Sequence, residues 1–550
     1  MSQETDVLII GGGLAGLVAA CEAVERGRPV VLVDQEPRAG LGGQAFWSLG
    51  GLFMIDTPEQ RRMGVKDSLE LATIDWFGSA GFDREEDHWP KQWASAYLDF
   101  AAGEMRPWLY ERGMRWFPIV GWAERGGGLA HGHGNSVPRF HLTWGTGEGI
   151  VEPFVNRALT YEKEGRITLL FRHRVTRLLG GAEGVTGAAG ELLEESPVKR
   201  GEASSRVAIG DFEIRAESVI VASGGIGGNE EAVRRAWPED RLGKPPKSFV
   251  YGVPAHVDGL MIDHTEAAGA RVINRDRMWH YTEGLRNWDP IWPNHGIRII
   301  PGPSSMWFDA AGERLPWPCL PGFDSLGTLK ELCRRGYSHS WFVTSQKIVK
   351  KEFSLSGSEQ NPDLTSKSWM KVIRSRLGKN APPPVEAFKR HGEDFVVADT
   401  LEKLVAGMNK IGEAPVDPAR LRAQIEARDA QIENPYSKDE QIIALRQARE
   451  YRGDKLSRTA APHKILDPKN GPLIAARLHI LTRKTLGGLE ADLSSRAIGS
   501  SGQPIPGLFA VGEAAGFGGG GYHGYNALEG TFLGGCIFSG RAAGHSETIA

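Results

Sequence analysis

Asp6-Val7-Leu8-Ile9-Ile10-Gly11-Gly12-Gly13-Leu14-Ala15-Gly16 opens the chain, and Pro29-Val30-Val31-Leu32-Val33-Asp34 follows it. Together they read as strand, glycine turn, helix, strand and terminal acid. That unit holds the pyrophosphate and ribose of a dinucleotide. Gly11 permits the tight turn, Gly13 lets the backbone approach the pyrophosphate, and Gly16 lets the helix lie close on the sheet. The first helical turn, with Leu14 and Ala15, offers free N–H groups and a positive dipole end to phosphates. Asp34, with Gln35 beside it, is placed to accept from a ribose hydroxyl.

A chain of 550 residues has room for two or three domains. Its 65 basic and 68 acidic side chains leave a net charge of −3, which argues against a nucleic-acid or membrane-surface partner held by bulk charge. The four cysteines, Cys21, Cys319, Cys333 and Cys536, form no CxxC pair and no iron–sulfur pattern, and fit a reducing compartment. No apolar run of about 18 residues suggests a membrane span, so a cytoplasmic protein is expected. His131 and His133 make half a metal site, but no Cys, Asp or Glu nearby completes it, and no metal is expected.

Paired glycines follow the first unit: Gly42-Gly43-Gln44, then Ser48-Leu49-Gly50-Gly51. They suggest backbone passing close to a flat cofactor. Residues 75–145 carry Trp76, Trp89, Trp93, Trp108, Trp116, Trp122 and Trp144, read mainly as packing rings. A helix is expected over 150–162, a strand over 167–179 with Val175 on the cofactor side, and a small meander around a polar loop over 185–215. Val219-Ile220-Val221-Ala222-Ser223-Gly224-Gly225 reads as a buried strand entering a glycine turn, with Ser223, Gly224 and Gly225 at the cofactor. Charged helices are expected over 417–433 and 438–452. Near the end, Leu508-Phe509-Ala510-Val511 is a buried strand and Gly512-Glu513-Ala514 a phosphate-type turn. A helix of small residues over 526–545, with Asn526 and Leu528 at its start, could aim its N-terminus at a second electron-rich part of the cofactor.

Four stretches in order (the N-terminal loop, the paired glycines near 42–51, the VIVASGG strand and the late GLFAVGEAAG turn) resemble the FAD-dependent family containing flavoprotein fumarate reductases and 3-ketosteroid dehydrogenases. The resemblance implies FAD and an α/β fold: a Rossmann-like FAD-binding domain, a parallel sheet with helices, plus an inserted α+β capping domain. Residues 1–270 and 483–550 would build the FAD-binding part and 271–482 the cap. The flavin would sit at the seam. Gln44-Ala45-Phe46-Trp47-Ser48 stands where covalent members carry a histidine, so the flavin is expected to be non-covalent.

Tyr281-Thr282-Glu283-Gly284-Leu285-Arg286 resembles the fumarate reductase motif whose Glu and Arg relay a proton, and Asp309-Ala310-Ala311-Gly312-Glu313-Arg314 resembles the turn with the arginine proton donor. Carried over, Glu283 and Arg286 relay and Arg314 faces the substrate; read from the residues alone, Glu283 and Arg286 are a local ion pair at helix spacing. Arg483-Lys484-Thr485 stands where that family has a histidine pair, and Ala527 where it has a carboxylate-binding arginine, which weighs against fumarate or succinate. Tyr522, Tyr525 and Tyr281 are candidate hydroxyls in a ketosteroid dehydrogenase-like pocket. The resemblance therefore implies hydride transfer to or from flavin N5 at a CH–CH bond beside a carbonyl, on a bulky, apolar, ketosteroid-like substrate. The alternatives are a small-acid reductase of fumarate reductase type and a flavin-binding electron carrier. The electron acceptor or donor is unidentified.

Overall fold

The computed structural model describes residues 2–126, 134–378 and 380–549. His131 and His133 lie outside them. The chain runs through β1 (Ser2–Ile10), α1 (Leu14–Glu25), β2 (Val30–Asp34), α2 (Thr146–Lys163), β3 (Ile167–Phe171), β4 (His173–Gly181), β5 (Gly184–Leu193) and β6 (Ala208–Val221). It continues through β7 (Met278–Arg286), β8 (Gly296–Ile300), β9 (His339–Ser345), β10 (Leu473–Thr485), β11 (Pro504–Ala510) and α3 (Thr531–Gly544).

The first sheet places β11, β6, β1, β2 and β3 side by side, all parallel. The last strand of the chain thus enters the same sheet as the first. Parallel strands covered on both faces need apolar side chains on both faces. Val7 to Ile9 and Val30 to Val33 are accordingly buried without alternation. The meander is the β4–β5 hairpin continuing antiparallel into β6. The strand expected over 167–179 is broken at Arg172, whose φ of 62° separates β3 from β4.

Helix α1 is buried along nearly its whole length because α3 covers it. Small residues make that possible: a Cβ at Gly540 would stand 2.4 Å from the Ala15 carbonyl oxygen. Cys21 is a buried thiol on the side of α1 that faces α2, with Sγ 3.7 Å from the Phe154 carbonyl oxygen, and all four cysteines are free.

The second sheet is mainly antiparallel. Met306–Asp309, β9, β10, β7 and β8 lie in that order. Between the two sheets, Val272 and Ile273 pair with Leu489 and Gly488 in a two-stranded ribbon. The helices near 417–452 are Pro418–Ala430 and Glu440–Ala448.

Candidate active site

One long cavity joins the two sheets. At one end it is lined by Asp34, Gln35, Glu36 and Val175; it passes Gly11, Gly13, Leu14 and Ala15 on one side and Gly43, Gln44, Ser48, Gly50 and Gly51 on the other. Ser223, Gly224, Gly512 and Glu513 also line it. At the far end stand Tyr281, Arg298, Arg483, Lys484 and Glu529.

The glycine loop is built by steric necessity. Gly11 has φ of +112°, and a Cβ there would lie 2.5 Å from the Ala222 carbonyl oxygen. A Cβ at Gly16 would lie 2.1 Å from the Gly11 carbonyl oxygen, so α1 sits directly on the turn. At Gly13 a Cβ would meet nothing within 4 Å, because that side opens into the cavity. Helix α1 has no side-chain cap, which leaves its first N–H groups for a ligand. Gln44 Oε1 and Arg200 Nη1, buried polar atoms of lining residues, have no protein partner. A pyrophosphate-bearing cofactor needs an open backbone turn, free donors and a cation, and this wall offers all three.

Asp34 lines the cavity, but its carboxylate also serves the backbone: Gly12 N donates to Oδ2 at 2.7 Å and Glu36 N to Oδ1 at 2.8 Å. It therefore braces the glycine loop, with lone pairs left over for a sugar hydroxyl. Three expected cofactor glycines or neighbours work from behind the wall. Gly42 N donates to the Gly12 carbonyl at 2.8 Å, Gly16 supports the turn, and a Cβ at Gly225 would strike Thr485 Oγ1 at 2.1 Å. Asn526 and Leu528 are buried outside the lining.

The expected catalytic groups are not brought together. Residues 278–286 form a strand, and in a strand side chains three apart point to opposite faces. Glu283 is buried, while Arg286 reaches solvent and pairs with Glu393 at 2.8 Å. The helix-spaced pair does not form. Arg314 is tied to Asp439, with Nη1 donating to Oδ2 at 2.6 Å, and it does not line the cavity. Its turn follows the edge strand Met306–Asp309, three strand steps from β7 and so roughly 14 Å across the sheet. Tyr522 is enclosed by Trp76 and Tyr97 and donates to the Thr531 carbonyl at 2.6 Å. Tyr525 accepts from Arg84 Nη2 at 2.7 Å, and its ring faces Arg241 and Arg277. Neither tyrosine reaches the cavity wall.

What converges at the far end is a different set. Arg298 on β8 is fully buried, stacks on the Tyr281 ring with Cζ 3.9 Å from its centroid, and donates to Glu283 Oε2 at 3.2 Å and Glu529 Oε1 at 3.0 Å. Its Nη2 has no partner. Trp279 Nε1 donates to Glu529 at 3.2 Å. Burial alone would raise the Glu529 carboxyl, but Lys484 and Arg298 outweigh it and hold it below the ordinary value. Burial, reinforced by Glu529, pushes the Tyr281 phenol well up. Lys484 donates to Tyr281 Oη. Burial brings its amine down to about 7, against the pull of Glu529 and with the help of Arg483 and Arg298. Burial raises Glu513 to about 7, although Thr485 N donates to it at 2.8 Å. A fixed cation, a phenol and an amine near neutrality can together move a proton and stabilise a developing oxyanion.

Arg298, Arg200 and Glu529 are absent from the sequence-based candidates. Arg298 did leave a signal: in Gly296-Ile297-Arg298-Ile299-Ile300 it is a lone charge in an apolar strand.

The chain matches the FAD binding domain family over residues 6–533. It is 59% identical to a KsdD-like steroid dehydrogenase of Mycobacterium tuberculosis (strain CDC 1551 / Oshkosh), over 98% of this chain and 95% of the relative. It is 60% identical to a KsdD-like steroid dehydrogenase of Mycolicibacterium smegmatis, over 96% of each. Among solved structures, 3-ketosteroid delta1-dehydrogenase from Sterolibacterium denitrificans superposes with a TM-score of 0.68 at 16% identity, covering 98% of this chain and 99% of that one. The open conformation of a flavocytochrome c3 fumarate reductase gives 0.64 at 19% identity, covering 98% and 78%. The two structures share the fold.

Proposed function

Because this chain belongs to the FAD binding domain family, we propose its function in terms of that cofactor. It is an FAD-dependent oxidoreductase acting on a CH–CH group, and its substrate is a bulky, ketosteroid-like ketone oxidised beside its carbonyl. The observation that carries this reading is the single cavity running from the dinucleotide loop to Tyr281, Arg298 and Lys484. The glycine loop and Arg200 would hold the pyrophosphate part, Gln44 Oε1 would accept from an N–H or O–H of the cofactor, and residues 271–482 act as a cap over the redox end. When bound, FAD supplies the two-electron acceptor for a hydride.

This chain's own residues supply the rest. Dehydrogenation beside a carbonyl puts negative charge on the carbonyl oxygen as the neighbouring C–H proton leaves. The buried Arg298, held by Glu283 and Glu529, keeps its unpartnered Nη2 as a hydrogen-bond donor at that end of the cavity. Tyr281 presents a phenol that burial and Glu529 keep protonated. The apolar side chains of Ile300 and Phe532 line the same end and exclude water.

Arg298, Arg483 and Lys484 in one cavity also suit a carboxylate, which supports a second reading as a small-acid reductase. Anaerobic mixing of the yellow protein with saturated 3-ketosteroids or with succinate separates the two. Bleaching by the steroids supports the first reading, and bleaching by succinate alone overturns it. We place the protein in the cytoplasm on the strength of its four free cysteines. No helix among the described residues is long and apolar enough to cross a membrane. The electron partner that reoxidises the flavin is a separate small molecule or protein.

A further inference from the structure

Lys484 is a buried titratable group of the cavity that the scheme above does not use. It leaves β10 beside Arg483 and ends with Nζ 3.3 Å from the centroid of the Phe532 ring and in a hydrogen bond with Tyr281 Oη. The groups facing it come from every element around it. Tyr281 is on β7, Arg298 on β8, and Glu513 follows β11. His523 and Glu529 lie before α3, and Cys536 lies on it. Among these, Tyr281 is both its hydrogen-bond partner and a residue that lines the cavity.

We propose that Lys484 is the proton-holding partner of Tyr281, completing a two-step relay from substrate carbon to lysine nitrogen. This rests on the dehydrogenase reading. In the dehydrogenating direction one substrate carbon loses a hydride to bound FAD, and its neighbour loses a proton. That C–H bond breaks as an O–H bond forms on Tyr281. The neutral Lys484 amine turns its lone pair to the Tyr281 hydroxyl, reversing the hydrogen bond that the ammonium donates to Oη, and takes the original hydroxyl proton to become an ammonium. The phenol is regenerated in the same event, so a tyrosine that is hard to ionise never has to exist as a free phenolate. The reverse reaction starts from the ammonium. Lys484 is a positioning and proton-storing residue, and Tyr281 is the catalytic residue that meets the substrate.

The accepting form is the neutral amine, so dehydrogenation must speed up as pH rises through about 7. In holoenzyme carrying [ε-13C]lysine, the one resonance missing from Lys484→Arg is expected to titrate near pH 7. Lys484→Met and Lys484→Arg are each expected to keep their FAD. They should slow anaerobic flavin bleaching by a saturated 3-ketosteroid about 10²- to 10⁴-fold, and the rising limb near pH 7 should vanish. A resonance titrating near ~10.4, the ordinary lysine value, overturns the proposal. So does a Lys484→Met enzyme that bleaches with the wild-type limb. If no ketosteroid bleaches even the wild type, it is the substrate reading that fails; the resonance then decides alone, a value near 7 supporting the lysine's role and one near ~10 overturning it.

Discussion

Arg298 stands with its guanidinium carbon 3.9 Å from the Tyr281 ring centroid while bonding Glu283 and Glu529. One buried cation therefore ties together two strands of the second sheet and the segment before α3. Its value to the fold is clearest when it is removed.

Arg298→Met leaves the buried Glu283 without its counter-charge and Glu529 with Lys484 alone. Breaking such a network costs about 3–5 kcal/mol. Urea unfolding of the variant should show a loss of that order, and Arg298→Met, Glu283→Gln should recover part of it. A loss under about 1 kcal/mol would mean the pairs contribute little.

Gly11 and Gly13 should respond in opposite ways. Gly11→Ala puts a methyl against the Ala222 carbonyl at a φ of +112°, so the chain should lose solubility or unfold early. Gly13→Val meets no protein atom within 4 Å of its Cβ. It should keep wild-type circular dichroism and melt like the apoprotein, yet purify colourless and refuse added FAD.

Arg200 ends in a buried Nη1 without a partner and is pushed down to about 10 by burial. A charge-assisted hydrogen bond is worth ~1.5–3 kcal/mol. Arg200→Met should then weaken FAD reconstitution roughly 10- to 150-fold, with Arg200→Lys intermediate. Equal affinities in fluorescence titration would show that the arginine only anchors its loop.

His280 sits among Trp237 and Phe249, and burial alone takes its imidazole down to about 3. The folded pKa is depressed, so its contribution is fully present above the unfolded value of ~6.5 and is lost as pH falls toward 3. Compared with wild type, His280→Leu should flatten the dependence of unfolding free energy on pH between 4 and 6, by up to ~1.4 kcal/mol per pH unit. Parallel slopes for the two proteins would mean that the wild-type imidazole takes up its proton when folded.

The parts of this molecule governed by local rules were the parts readable from residues. The glycine turn, the apolar strands Val7–Ile10 and Val30–Val33 and the strand ending at Ala510 follow from sterics and periodicity within a dozen residues. The catalytic end does not. Glu283 and Arg286 fit a helix by spacing, and only the pairing of β7 with β10 makes them point apart. Arg314 follows a motif-like turn, but sheet order carries that turn to the far edge. Tyr522 and Tyr525 lie beside a run of glycines that coils them into the core and against Arg84, a path set by tertiary packing. Arg298, Lys484 and Glu529 come from positions as much as 231 residues apart, and nothing local announces their meeting.

The ribbon in which Ile273 faces Gly488 brings the outgoing and returning chain to neighbouring positions. Everything between them could be excised and the gap closed by a turn of a few residues, with no demand on the parallel sheet. Every strand of the parallel sheet lies outside that stretch, so the floor under the glycine loop draws none of its strands from the chain between Ile273 and Gly488.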